Sequence, residues 1–188
     1  MNENLVGQFL IAMPGLQDPR FQKTVILICE YSKTAVMGLI LNKQIYNLTL
    51  GKILSHEKKE NAKNNCFNEA IFSGGPVHTK QGFILHTNEK RYQTTEKILH
   101  NVSITTSMEI LDDIGINKGP LFKKIFLGCS VWGYDQFNRE ILENSWLTID
   151  GNKQAIFKNS SNQSFVWESC MSKLGIKTAN LVSFYGKA

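Results

Sequence analysis

Hydrophobic residues in this chain fall in short continuous runs rather than in long helical stripes. Gln8–Ala12 (QFLIA) is an apolar run stopped by Pro14-Gly15, the pattern of a buried strand that enters a turn. Val25–Tyr31 (VILICEY) is β-branched and unbroken, which predicts a strand covered on both faces. Ser32-Lys33 turns the chain, and residues 35–41 (AVMGLIL) return as a second buried strand, so the two form a hairpin. Gly38 inside that strand predicts a bulge or the close approach of another backbone. Ahead of the hairpin, Asp18-Pro19 starts a turn in which Asp18 caps a single helical turn over residues 19–23.

Further along, the apolar runs predict strands at Ala70–Ser73, 81–86, Val102–Thr105, 123–129 and 146–149. Helical spacing appears at 48–54, with Thr49 as the cap, and again after Thr106-Ser107-Met108-Glu109, which has the form of a capping box. Gly115 ends that helix. Residues 135–144 predict a third helix, with Phe137, Ile141 and Leu142 on one side. Ser164 is expected to cap a last helix in which Trp167, Met171 and Leu174 share a face. Residues 55–68 are polar and read as a flexible loop. The pattern predicts an α+β fold, a single compact domain over residues 1–188 with about eight short strands and about four peripheral helices.

Composition narrows the function classes. Of the 188 residues 42% are hydrophobic and 20% charged, enough for a core without metal or disulfide staples. The start of the chain carries Glu3 and no basic residue before a short apolar run, which is not a signal peptide, and no run reaches membrane-span length. A cytoplasmic, non-membrane protein is expected. Cys29, Cys66, Cys129 and Cys170 lie far apart with no C-x-x-C pair, which excludes a zinc knuckle or a thioredoxin-like motif. The net charge of +5 and pI near 9.0 invite a nucleic-acid reading, yet the basic residues are scattered, so direct nucleic-acid binding is not expected.

The residues with chemical potential each have a plain alternative. Cys29-Glu30 sets a thiol beside a carboxylate, but a nucleophilic cysteine needs a cation or base nearby, and Tyr31 supplies neither. Glu30 and Lys43 flank the hairpin and could close it as a salt bridge, worth about 0–1 kcal/mol if exposed. Asn42 caps a turn or touches a ligand. Gly74-Gly75-Pro76 can form an anion nest or a tight strand exit. His78 and His86 lack a carboxylate and make a poor metal site. Thr105, Thr106 and Ser107 place hydroxyls at a helix N-terminus, where capping or an anion would occupy them. Trp132 packs in the core or lines a pocket. Glu140 and Glu143 face water.

Taken together, FLIAMPGLQDPRFQKTVILICE, MGLILNK, SGGPVHTKQGFILHT and TTSMEIL, followed by LGCSVW, the helix carrying Glu140 and ENSWLT, resemble the YqgE/AlgH family of small bacterial proteins. The resemblance spans residues 9 to about 174, and it implies a compact α+β domain on a coiled mixed β-sheet. The family is mostly uncharacterised, and one branch is associated with regulation of alginate production. This chain departs from the usual pattern at Tyr31, Gln44, Gln81, Cys129-Ser130 and Lys187, where the family often has a histidine, a proline, a basic residue, Tyr-Ala and a histidine.

No complete catalytic set assembles, and no cofactor or metal site is expected. The favoured reading is therefore a non-enzymatic binding or regulatory module with a protein or small-molecule partner. Its candidate ligand residues are Asn42, Lys43, Gly74, Gly75, His86, Thr105, Thr106 and Trp132. The alternatives are a hydrolase or a thiol-dependent redox enzyme using Cys29 or Cys129, and a DNA-binding regulator.

Overall fold

In the computed structural model, residues 4–54, 68–158 and 162–176 are described. The loop expected at 55–68 lies, but for Asn68, outside them. Strands run at Gln8–Ala12 (β1), Val25–Tyr31 (β2), Ala35–Ile40 (β3), Gln44–Thr49 (β4), Ala70–Ser73 (β5), Val77–His86 (β6), Glu96–Leu99 (β7), Val102–Thr105 (β8), Lys123–Gly133 (β9) and Trp146–Asp150 (β10). Helices occupy Leu50–Ile53 (α1), Glu109–Gly115 (α2), Tyr134–Leu142 (α3), Lys153–Phe157 (α4) and Gln163–Lys173 (α5). The fold is α+β, with ten strands and five helices among the described residues against about eight and about four expected.

The sheet order is β10-β1-β2-β3-β9-β6-β8-β7, antiparallel throughout, with β4 and β5 off this path and β5 parallel to β9. Both faces are covered, which is why the early strands read as unbroken apolar runs. Phe9, Ile11, Val25, Leu27 and Leu39 point into a core closed by Ile156 of α4 and by Val166, Trp167 and Met171 of α5. Their neighbours Leu10, Ala12, Ile26, Ile28 and Ile40 point the other way, onto Phe137 of α3 and two tryptophans. A third cluster packs α1 and α2 against Ile84 and Ile125. The Trp167 indole donates to the Ala12 carbonyl at 2.7 Å and ties α5 to the sheet.

The eleven-residue β9 is the axis of the fold. Its first half pairs with β6 on one side and β5 on the other, and its second half pairs with β3. The change of partner occurs where the chain after β5 crosses β9. A Cβ on Gly74 would sit 2.2 Å from the Gly128 carbonyl oxygen, and one on Gly75 2.3 Å from the Cys129 backbone. Only glycine permits two backbones so close. Gly38 is similarly confined: a Cβ there would lie 2.6 Å from Ile26, and the β2–β3 register shifts between Ile28 and Glu30. Of the two alternatives expected at Gly38, the close approach of another backbone is present, since a Cβ there would also lie 2.9 Å from the Leu27 carbonyl oxygen, while the extra residue of the register shift belongs to the facing β2.

Local capping differs from the sequence expectation. α2 begins at Glu109 behind Met108, whose side chain makes no cap bond; the Thr106 hydroxyl donates to Thr94 at 3.1 Å instead of closing the expected capping box, and Ser107 Oγ accepts from Glu109 N at 3.3 Å. Thr49 makes no cap bond. Asn162 caps α5 instead of Ser164, accepting from Ser164 N at 3.0 Å, and the unexpected α4 is capped by Asn152. Strands β4 and β7 were masked in the sequence by polar residues on their exposed sides.

Candidate functional site

A cleft of about 400 Å³ opens between the turn at residues 15–21 and the corner where β9 runs into α3. Its floor is aromatic. Trp132 and Trp146 meet edge to face, with centroids 5.8 Å apart at 89°, and Phe21 packs on both at 5.9 and 5.6 Å. Such pairs contribute about 0.5–1.5 kcal/mol each beyond the area they bury. Both tryptophans are nearly enclosed, at 3% and 2% exposure, so each indole N–H needs an acceptor inside the protein.

Glu140 supplies it for both. Its Oε2 accepts from Trp132 Nε1 at 3.1 Å and from Trp146 Nε1 at 2.7 Å, while Oε1 accepts from the Gln136 amide at 2.8 Å. Gln136 and Glu140 are four residues apart on α3 and so share a helix face. Contrary to the expectation that Glu140 faces water, it is half-buried and joins three elements: the end of β9, α3 and the start of β10.

Across the cleft the Asp18-Pro19 turn presents Arg20. Asp18 accepts from Arg20 N at 2.9 Å and from its guanidinium at 2.6–3.1 Å. The bonded guanidinium holds the Asp18 carboxyl below its usual value and raises Arg20. The turn is pinned from below by Lys43, whose Nζ donates to the Arg20 carbonyl at 2.5 Å. Partial burial lowers the Lys43 ammonium pKa. Lys43 thus closes on the turn rather than on Glu30, which is exposed.

The structure distributes the expected ligand residues over three places. Trp132 lines the cleft, Lys43 supports its rim, and Gly74-Gly75 carry the chain into Pro76 and Val77, which line it. Asn42 is buried and clamps the start of β2, accepting from Val25 N at 3.0 Å and donating to the Lys23 carbonyl at 2.8 Å. His86, Thr105 and Thr106 lie on the β6–β8 arm. The His86 ring contacts the Thr87 carbonyl through Nδ1 at 2.9 Å; a carbonyl only accepts, so Nδ1 carries the proton. Nε2 is buried with no partner among the described residues, and burial lowers the imidazole's pKa. Thr105 accepts from Ser107 N at 3.1 Å and meets Thr94 at 2.9 Å, so its hydroxyl is engaged within the fold.

Sequence reasoning missed Gln17, Arg20, Gln136 and Glu140 at the cleft. The signal available was the pair of tryptophans bracketing a helix with a carboxylate and an amide four residues apart. The two thiols considered for catalysis, Cys29 and Cys129, are 4% and 2% exposed, and burial pushes both thiol pKa values up, away from the reactive thiolate. Among the described residues no group of three or more His, Cys, Asp or Glu side chains is placed to hold a metal, and no helix is long and apolar enough to cross a membrane.

An α+β sheet folded about a glycine crossing, with an aromatic cleft beside it, defines the class. The sequence profile of the AlgH-like family matches residues 9–179, and the chain belongs to that family. It is 37% identical to a UPF0301 protein of Vibrio cholerae over 98% of this chain and all of the relative, and 39% identical to one of Buchnera aphidicola over 92% of each. The solution structure of the AlgH protein from Pseudomonas aeruginosa superposes with a TM-score of 0.78 at 31% identity, covering 100% of this chain and 98% of that one. A crystal structure from Corynebacterium diphtheriae, 20% identical with a TM-score of 0.72 over 92% of this chain and 88% of that one, shares the fold.

Proposed function

We propose that this protein is a non-enzymatic binding or regulatory module of the cytoplasm, and that its ligand seats in the cleft above Trp132 and Trp146. One observation carries the reading: Glu140 gathers two indole N–H groups and the Gln136 amide, so polar and aromatic groups from three elements converge, already ordered, on one concavity. Preformed, mostly apolar clefts with a few fixed polar groups are the usual form of a small-ligand or peptide site. Arg20, paired with Asp18 yet 63% exposed, keeps guanidinium N–H groups that Asp18 does not engage for an incoming partner. A thiol-dependent mechanism at Cys29 or Cys129 is disfavoured by their burial.

Native mass spectrometry of the gently purified protein tests this. The expected result is a retained mass that disappears in Arg20→Ala and Gln136→Ala while their melting temperatures stay near wild type. A retained mass unaffected by both substitutions would place the ligand elsewhere and overturn the assignment of the cleft.

A further inference from the structure

The opposite arm of the sheet carries a second concavity, of about 290 Å³, lined by Asn88, Lys90, Arg91, Thr95, Lys97 and Ser103. Three of these residues are cations and none is an acid. The strand register brings Lys97 of β7 opposite Ser103 of β8, and Ser103 opposite His86 of β6. Residues directly opposite share a sheet face with Cβ atoms about 5 Å apart, so Lys97 stands beside the buried Ser103 hydroxyl. That hydroxyl donates to Asn88 Oδ1 at 2.8 Å, and the Asn88 amide donates to the His100 carbonyl at 3.3 Å, which fixes the amide's orientation.

The acids around this cleft are committed elsewhere. Asp113 of α2 pairs with Lys90 and accepts from the Tyr92 hydroxyl at 2.9 Å. Glu96 precedes Lys97 in β7 and therefore points to the other face, where its field acts on Cys29. Glu89 bonds Thr87 and feels Lys153, and Glu109 acts on Tyr92. Lys90 rests over the Tyr92 ring at 5.3 Å, but Arg91 and Lys97 pair with no carboxylate among the described residues. Cations facing one concavity repel each other, and a concave low-dielectric wall concentrates their field.

The geometry points to a binding site for a small phosphate-bearing anion. Arg91 offers the forked donor pair that matches two phosphate oxygens, Lys97 acts as a point charge, and Thr95 and Asn88 supply neutral hydrogen bonds, while Lys90 stays paired with Asp113 at the edge. A phosphoryl group suits the site better than a carboxylate because its greater charge and three oxygens answer the two cations without a carboxylate and the neutral donors beside them. The same chemistry is offered by a soluble phosphate ester and by a lipid headgroup with a terminal phosphate. This site is independent of the aromatic cleft and of what that cleft binds.

Titration of the ¹⁵N-labelled full-length protein with sodium pyrophosphate at physiological ionic strength tests the assignment. Saturable shifts at the amides of residues 88–97 and of Ser103 are expected. Arg91→Ala/Lys97→Ala should weaken binding at least about tenfold, since two charge-assisted contacts are lost. Both residues are exposed, so the melting temperature should move by no more than about 4 °C. Co-sedimentation with vesicles of phosphatidylcholine and phosphatidic acid separates the two sources. Sedimentation that pyrophosphate reverses identifies a headgroup, and pyrophosphate binding without sedimentation identifies a soluble ester. Shifts scattered over the whole basic surface, no saturation, or equal binding by the double variant would overturn the site. So would a single-stranded oligonucleotide that binds as tightly to the double variant as to wild type.

Discussion

The two arms of the sheet each carry a cleft, and they treat their charges in opposite ways. On the β1–β3 arm Glu140 has its acceptor positions occupied by two indoles and an amide, and Arg20 is matched by Asp18. On the β6–β8 arm Arg91 and Lys97 face a concavity with no acid on its walls. The Glu140 cluster is internally satisfied: it fixes the shape of an aromatic floor and contributes to stability, and it leaves the exposed Arg20 rim to meet a ligand. The second cleft leaves charge for something outside the chain to neutralise. Substitution at Glu140 should therefore be costly to folding, and substitution at Arg91 or Lys97 nearly silent.

The joint between the arms should give the largest effect. Gly75→Ala forces a Cβ to within 2.3 Å of the Cys129 backbone, with neither chain able to withdraw. It should cost more than about 4 kcal/mol or abolish soluble expression, measured by denaturant unfolding. A variant within about 1 kcal/mol of wild type would show that the crossing is looser than drawn.

Glu140→Ala comes next. It strands two buried indole N–H groups at about 1–3 kcal/mol each, so a loss of about 2–6 kcal/mol is expected, with a melting temperature lower by about 5–20 °C. Glu140→Gln, which keeps one acceptor oxygen, should lose less. Equal stability of all three proteins would erase the distinction between the arms.

Lys124 sharpens the comparison from beneath the sheet. It is 4% exposed, with Nζ 4.2 Å from the Phe72 ring centre and donating to the Ile156 carbonyl at 3.3 Å. Burial lowers its pKa from 10.5 to about 7. Between those values the unfolded chain holds a proton that the folded chain has released, so this residue's contribution makes stability rise with pH across that window. The rise should be absent in Lys124→Met. A parallel pH profile for wild type and Lys124→Met would mean that the amine keeps its ordinary basicity.

The smallest effect is expected at the basic cleft. Arg91→Ala and Lys97→Ala should each change stability by no more than about 0.5 kcal/mol. A loss of more than about 1.5 kcal/mol at either position would mean that these cations are structural, as Glu140 is on the other arm.

The parts of this fold legible in the sequence are those whose periodicity is set by burial. β1 and β2 match their expected bounds residue for residue, because runs such as QFLIA and VILICEY admit little besides a strand covered on both faces. Gly38 and Gly74-Gly75 were recognisable as special, but a glycine does not say which backbone it approaches. That depends on the parallel β5–β9 pairing, joined across about 50 residues. Capping at Thr106 went astray for a similar reason: Thr94, twelve residues earlier, takes the hydroxyl. The cleft was legible only at Trp132. Glu140 sat on a helix whose sequence fits a solvated face, and its role exists only because β10 folds back to bring Trp146 within 2.7 Å.

The most direct measurement is the side-chain indole region of a ¹H–¹⁵N spectrum, where three tryptophans give three signals. The Trp132 and Trp146 indole protons should exchange slowly and move together in Glu140→Gln, while Trp167, bonded to the Ala12 carbonyl, stays in place. Fast exchange of the first two, or no movement on substitution, would contradict a cleft organised around Glu140.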